Sequence, residues 1–168
     1  ASNGGAYFYD ILTNSFKIFS KSSGLNGTEL TAVGIDSYGK VWFGSVNGMI
    51  DVYSPETNSF KSILDIFNSD KISKQINDIT ISGDTVYVAT DFGISLIDSK
   101  SYFFYDTYFK FGTFTSNIKV NSIIVSDLIY AATELGIAIQ KAGATNLSAP
   151  ESWNVYDQAN GLPAGGGN

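Results

Sequence analysis

The chain has no cysteine and no histidine, and because all ten of its cations are lysine it has no arginine. Without cysteine there are no disulfide frameworks and no thiolate zinc sites. Without histidine there are no His-dependent triads, and the missing thiol removes the cysteine nucleophiles as well. Imidazole and thiolate ligation of a catalytic metal goes with them. Without arginine there is no bidentate clamp on a carboxylate or phosphate. A chain of 168 residues lacking all three is a poor enzyme candidate. The expectation is therefore no catalytic residue, no metal and no cofactor. Basic character is short too. The net charge is −6 and the lysines are scattered, so there is no footprint for releasing counterions from nucleic acid. No apolar stretch approaches the roughly twenty residues that span a bilayer. No signal peptide is present, so any export signal has been removed or lies outside this chain. Zero cysteine fits either side of a membrane.

What the chain does have is a repeat. Four segments carry a small residue, then Ser or Thr, then a Gly that opens an apolar run. They start at Ala1, Gly44, Ala89 and Ala132, at spacings of 43, 45 and 43 residues. A period in the forties built of short β-type runs is the signature of a β-propeller, one blade per repeat. With 17 glycines, 3 prolines and 14% aromatic residues, the composition suits many short strands joined by tight turns.

The second repeat reads most plainly. Strands are expected over 30–36, 41–45, 49–53 and 59–64, with hairpin turns at Ser37–Lys40, at Asn47-Gly48 and over 54–58. The third repeat gives 76–82, 86–90, 93–98 and an aromatic stretch from Tyr102 to Tyr108. The fourth gives 120–125, 128–133, 136–140 and, after an insertion over 142–152, 153–156. The second strands are nearly continuous apolar runs, as strands buried on both faces are. Trp42 and Tyr87 should therefore be largely buried between blades. Gly44, Ala89, Ala131 and Ala132 fit the narrow wedge there.

The first repeat shows only two outer strands, near 6–10 and 15–19, after Ala1-Ser2 at the end of an inner one. The expected organisation is a half blade over 1–23, blades over 24–66, 75–110 and 118–157, and a link to the next blade over 158–168. About three and a half blades do not easily close a ring. The chain reads as a piece of a longer propeller that self-associates when isolated.

The run Leu30-Thr-Ala-Val-Gly-Ile-Asp-Ser-Tyr-Gly-Lys-Val-Trp-Phe-Gly44 resembles the two-component regulator propeller repeat. Gly161-Leu162-Pro163 matches the opening of a further such repeat, and Gly24-Leu25 matches with Asn26 in place of Pro. The Gly-His pair of WD40 repeats is absent. The third and fourth repeats are similar to the N-terminal propeller of PorZ-type proteins. Asn77-Asp-Ile, Gly83-Asp84, Tyr87-Val-Ala-Thr, Phe92-Gly-Ile, Val120-Asn-Ser-Ile and Ile129-Tyr-Ala-Ala-Thr-Glu-Leu-Gly-Ile carry that likeness. It implies the type IX secretion machinery of the Bacteroidetes, with a sortase-type protease complex and an outer-membrane lipopolysaccharide as partners. The alternative is the extracytoplasmic oligosaccharide sensor of a hybrid histidine kinase. Both readings place the chain in the periplasm or on the outer surface of a Gram-negative cell, with a protein or cell-surface glycan as partner and no membrane span of its own.

Propellers bind at the rim that carries the turns between second and third strands and the links between blades, since loops on a rigid scaffold carry function. Here those turns hold Val46-Asn47, Asp91-Phe92 and Glu134-Leu135. Asn47, Asp91, Phe92 and Glu134 are candidate contacts, with Asn47 also a good turn former in its own right. Tyr102, Phe103, Phe104, Tyr105, Tyr108, Phe109 and Phe111 form a run of rings. Core packing is their commoner use, but an outer strand leaves some rings exposed, so Tyr105 and Phe109 join the candidates. Asp36, Asp84 and Asp98 sit at strand ends without the spacing of a calcium loop. A glycosidase-type carboxylate pair stays open with a low prior. The sequons at Asn26 and Asn146 are read as coincidental.

Overall fold

The computed structural model describes residues 4–163. Ala1 and Ser2, read above as the end of an inner strand, lie outside the described residues. The described chain is all-β apart from three short 3₁₀ turns and one four-residue helix, α1 (Asp65–Asn68). β1 (Ala6–Asp10) and β2 (Ser15–Phe19) form a two-stranded antiparallel hairpin. Three four-stranded antiparallel meanders follow. The first is β3 (Leu30–Ile35), β4 (Val41–Ser45), β5 (Ile50–Ser54) and β6 (Ser59–Ile63). The next is β7 (Ile76–Ser82), β8 (Thr85–Thr90), β9 (Gly93–Asp98) and β10 (Phe104–Tyr108). The last is β11 (Val120–Val125), β12 (Ile129–Thr133), β13 (Ile137–Gln140) and β14 (Trp153–Tyr156). The separate sheets stack with β3 beside β7 and β7 beside β11, so first strands lie innermost. This is a β-propeller fragment. The hairpin is the first blade, and the three meanders are the second to fourth.

Period-two alternation makes one strand serve two cores. Trp42 joins Ile50 and Val52 against Ile76, Ile79, Val86 and Val88 of the third blade. Its neighbour Phe43 points the other way and packs with Phe19, Tyr53 and Leu30 against the first hairpin. Tyr87 and Ala89 face the fourth blade, opposite Ile123, Ile129 and Ala131. Close approach depends on missing side chains. A Cβ on Gly44 would lie 2.4 Å from Ile76 Cγ2, and one on Gly34 would lie 2.8 Å from Ile79 Cγ2.

Trp42 is fully buried, as its apolar strand implies. Tyr87 corrects the expectation, being only half-buried at the margin of its core. A ring with a polar tip tolerates that position, and burial still pushes its hydroxyl pKa up. The aromatic run also departs from the sequence reading. β10 begins only at Phe104, and the chain turns at Tyr102 with φ of +64°. Phe104 and Tyr102 then pack toward the second blade, and Tyr108 and Phe111 toward the fourth. Phe103, Tyr105 and Phe109 stay exposed. The rings therefore never form one surface.

Tight turns at the hairpin ends hold three carboxylates below their ordinary range. Asp98 is held by the backbone N–H of Ser101 and then by its hydroxyl. Asp84 is held by Lys100 and then Tyr38, and Asp10 by Thr13 and then the backbone of Leu12. A carboxyl whose folded pKa is depressed supports the fold above its unfolded pKa of about 4 and loses that support as pH falls through the folded value. The melting temperature should therefore drop on acidification below about pH 4. Asp98→Asn should flatten part of that drop. Parallel curves for the two proteins down to strong acid would refute the assignment.

Candidate functional site

The rim carrying the second-to-third-strand turns is built alike in three blades. Ser45, Thr90 and Thr133 are buried, and their hydroxyls donate to the carbonyls of Met49, Gly93 and Gly136 at 2.8, 2.9 and 2.9 Å. The repeat's Ser or Thr thus closes the turn. Its Gly opens the third strand at φ of +137° in Gly93 and +149° in Gly136. The second blade's turn is one residue longer, so Met49 rather than Gly48 holds the equivalent place. Each turn is tied to the preceding link by one backbone bond. Val46, Asp91 and Glu134 donate their N–H to the carbonyls of Glu29, Gln75 and Lys119 at 3.0, 3.2 and 3.0 Å. These three residues are structural equivalents.

Side chains join the links between blades. The first strand of every meander carries a bulge at one place: between Leu30 and Ala32, Ile76 and Asp78, and Val120 and Ser122. The extra residue is released from the ladder and aimed elsewhere. Thr31 Oγ1 donates to Ile76 O at 2.5 Å, and Asn77 Nδ2 donates to Val120 O at 2.9 Å. Both bonds cross to the next blade. Asp78, which stays in the ladder, adds to these cross-blade bonds, accepting from Ile123 N and Ser122 Oγ at 2.9 Å each.

Asp91 lies at the centre of this network. Its carboxylate accepts from Asn77 Nδ2 at 3.0 Å and from the Ser73 hydroxyl, and Lys119 Nζ lies 3.8 Å away. Its side chain is 16% exposed, so most of its capacity is spent internally. Lys119 also donates its backbone N–H to Glu134 Oε1 at 3.3 Å. Lys119 thereby brings Asp91 and Glu134 into one cluster. Phe92 sits in the same turn but is buried, with the Lys71 ammonium 5.8 Å from its ring centroid. It fills the core and presents no face to a ligand.

The other candidates disperse. Asn47 lies a blade away, its Oδ1 accepting from Met49 N at 3.3 Å, as a turn former does, and lying 2.8 Å from Ser45 Oγ, where it competes with the Met49 carbonyl for the hydroxyl proton. Phe109 is exposed at this rim, its carbonyl accepting from Asn117 N at 2.7 Å. Tyr105 occupies the bulge of β10 near the opposite end of its blade, its hydroxyl donating to Thr85 at 3.1 Å. Two hollows open along the rim. One, about 420 Å³, is lined by Thr113, Thr115, Glu134, Leu135, Asp157 and Gln158 among others. The other, about 360 Å³, is lined by Asn26, Glu29, Asn47, Met49 and Phe67 among others. Glu134 and Asn47 therefore do line cavities.

Sequence reasoning missed Asn77 and Lys119, while the apolar flank expected on the last blade is present as the fourth blade's open face. On that face Ile124 and Tyr130 are exposed beside Ala132 and Ile137, around an apolar hollow of about 420 Å³. The signal was available in register. Trp42, Tyr87 and Tyr130 pair with Val52, Leu96 and Ile139 at the same rung of three blades. No helix among the described residues is long and apolar enough to cross a membrane.

A family model described as the N-terminal β-propeller domain of PorZ of the type IX secretion system matches residues 1–154. Among solved structures, PorZ of Porphyromonas gingivalis superposes with a TM-score of 0.74 at 24% identity, covering 92% of this chain and 20% of that one. It is described as an essential bacterial surface component of the type-IX secretion system. The extracellular domain of a protein described as a hybrid two-component system of B. thetaiotaomicron gives 0.72 at 15% identity, over 94% of this chain and 21% of that one. A second such domain from that organism gives 0.61 at 21%, over 95% and 22%. At these identities the likeness is one of fold, and the chain spans about a fifth of the length of each of these proteins. No curated protein matches the sequence.

Proposed function

Because the chain belongs to the family of PorZ N-terminal β-propeller domains, we propose that it is a non-catalytic binding and assembly domain of a cell-envelope protein. It works outside the cytoplasm, in the periplasm or at the outer surface. Its partners are a sortase-type protease complex and a cell-surface lipopolysaccharide, with the link-bearing rim as the contact face. One observation carries this reading. The rim turns are locked by the same internal bonds in three blades, while exposed Glu134 and Leu135 project from that frame beside an open hollow. A preorganised rim with variable tips is what a binding scaffold needs.

The exposed aromatic face of the first hairpin (Tyr7, Tyr9, Phe16 and Ile18) and the open face of the fourth blade are further association surfaces in this proposal. Apolar patches of this kind mark contact sites. They also favour self-association of the isolated chain.

Surface plasmon resonance of the chain over immobilised lipopolysaccharide and over the protease subunit tests the proposal. Glu134→Ala with Leu135→Ala should weaken binding about tenfold, the loss of one or two rim contacts. Binding to neither surface, or binding indifferent to both changes, would overturn the rim assignment. The likeness to two-component extracellular domains supports a second reading, an oligosaccharide sensor. A parent gene encoding a membrane helix and kinase beyond the propeller would favour it.

A further inference from the structure

The opposite rim, which carries the other two turns of each blade, has chemistry of its own. A hollow of about 460 Å³ crosses the boundary between the second and third blades there. Tyr38, Lys40, Pro55, Glu56 and Thr57 line it from one side and Lys100 from the other.

Lysines gather at this point although the chain carries a net charge of −6. Lys40 Nζ and Lys100 Nζ lie 5.9 and 5.7 Å from the Tyr38 ring centroid. Lys40 Nζ and Lys61 Nζ lie 4.8 and 4.5 Å from that of Tyr102. All four distances are within cation–π range. Hydrogen bonds fix the frame. Lys40 Nζ donates to the Tyr102 hydroxyl at 2.7 Å, and Lys100 Nζ donates to Asp84 Oδ2 at 2.6 Å. The Tyr38 hydroxyl donates to Asp84 Oδ1 at 2.8 Å.

Tyr102 is held in a conformation that a bulky residue seldom adopts, with φ of +64°. The turn enforces it. Tyr102 N donates to Asp98 O at 2.8 Å, while the Asp98 carboxylate accepts from the N–H groups of Lys100 and Ser101 at 3.1 and 2.7 Å. The ring rests 5.7 Å from Trp42, centroid to centroid. Strain of this kind persists where surrounding contacts over-determine it, and it clusters at binding sites.

Each ammonium has three donors. The bonds to Tyr102 and Asp84 take one each from Lys40 and Lys100, leaving donors for a guest. With two ammoniums near each ring, the rings orient charge rather than offer a bare face to a stacked sugar. Glu56 and Asp84 offset part of the positive charge, so the site suits single, spaced carboxylates better than a small multiply charged anion. Its course across a blade boundary suits an extended chain.

We propose that this hollow docks an acidic, extended peptide segment of a protein partner, with Lys40 and Lys100 each receiving one carboxylate. Lys61 adds attraction from the far side of Tyr102. The site is independent of the link-bearing rim.

Fluorescence anisotropy with a labelled octapeptide alternating Asp and Ser, beside its Asn–Ser counterpart, tests the proposal. The Asp peptide should bind about tenfold more tightly than the Asn peptide, and more weakly as salt screens the charges. Lys40→Gln with Lys100→Gln should remove that preference while the chain stays folded, its midpoint lowered slightly by loss of the exposed Lys100–Asp84 pair. Should the double variant unfold, exposed Lys61→Gln gives a second measurement, with a smaller loss expected in the same direction. Equal binding of the two peptides, no binding of either, or binding indifferent to the lysines overturns the proposal. So does a uronic-acid oligosaccharide that binds where the Asp peptide does not, which would make the hollow a glycan site.

Discussion

Gly93→Ala should lower the free energy of unfolding by about 3 kcal/mol, combining strain at a positive φ with overpacking. A Cβ there would lie 2.2 Å from Tyr108 O and 2.9 Å from Phe109 Cα. Both are backbone atoms of the strand end that pairs with β9, so no side chain can swing aside. The backbone would have to open where Thr90 Oγ1 closes the turn onto the Gly93 carbonyl. Gly83→Ala is the control. It too has a positive φ, +59°, but no atom within 4 Å of the added Cβ. It should cost only about 1 kcal/mol, the strain alone. Urea unfolding of both variants measures the difference. A Gly93→Ala midpoint as high as that of Gly83→Ala would show that the strand end yields freely.

That glycine was legible because its constraint is local. A position that needs positive φ and no Cβ in every blade leaves Gly at a fixed spacing from a Ser or Thr, whatever surrounds it. Gly93 and Gly136 show this. The second blade shows the limit. Its turn is longer by one residue, Gly48 answers a different need, and counting positions alone puts the equivalence at the wrong residue. The strands were legible for the same local reason, through runs such as Val41-Trp42-Phe43.

The rim network was not legible, because its bonds join residues far apart in sequence. Nothing near Asn77 announces that its amide will reach Val120 O, 43 positions on. Its place in the turn makes Asp91 a candidate contact, whereas Asn77, Ser73 and Lys119 claim its carboxylate. Asp51 is the same lesson in the core. It sits in the middle of an apolar strand, 1% exposed. Its carboxylate holds the link loop by accepting from Asn26 N and Gly27 N at 2.8 and 2.7 Å. Tyr102 defeats propensity outright, since a bulky residue is held in a left-handed turn by the Asp98 bonds together with long-range contacts to Trp42 and Lys40.

Trp42→Ala should destabilise the chain by about 4 kcal/mol, the cost of removing a large buried ring whose site collapses only in part. Trp42 is fully buried, and its indole N–H donates to Asp36 Oδ2 at 2.9 Å. Asp36 Oδ1 accepts separately from Tyr38 N and Lys40 N at 2.9 and 3.0 Å, so the hairpin turn should survive. Trp42→Phe separates the two losses. It keeps most of the packing and removes the indole donor, and should cost about 1–2 kcal/mol. The location of the damage matters more than its size. Trp42 belongs to the second blade, but the core it fills is shared with Ile76, Ile79, Val86 and Val88 of the third. If blades are stabilised by the cores between them, as stacked repeats are, the cavity weakens both sheets at once. Native-state hydrogen exchange of Trp42→Ala should then show protection falling together in β4, β5, β7 and β8, with β12 and β13 less affected. Loss confined to β3–β6 would mean that each sheet stands by itself. The division of adjacent side chains such as Trp42 and Phe43 between neighbouring cores would then not be what holds the blades together.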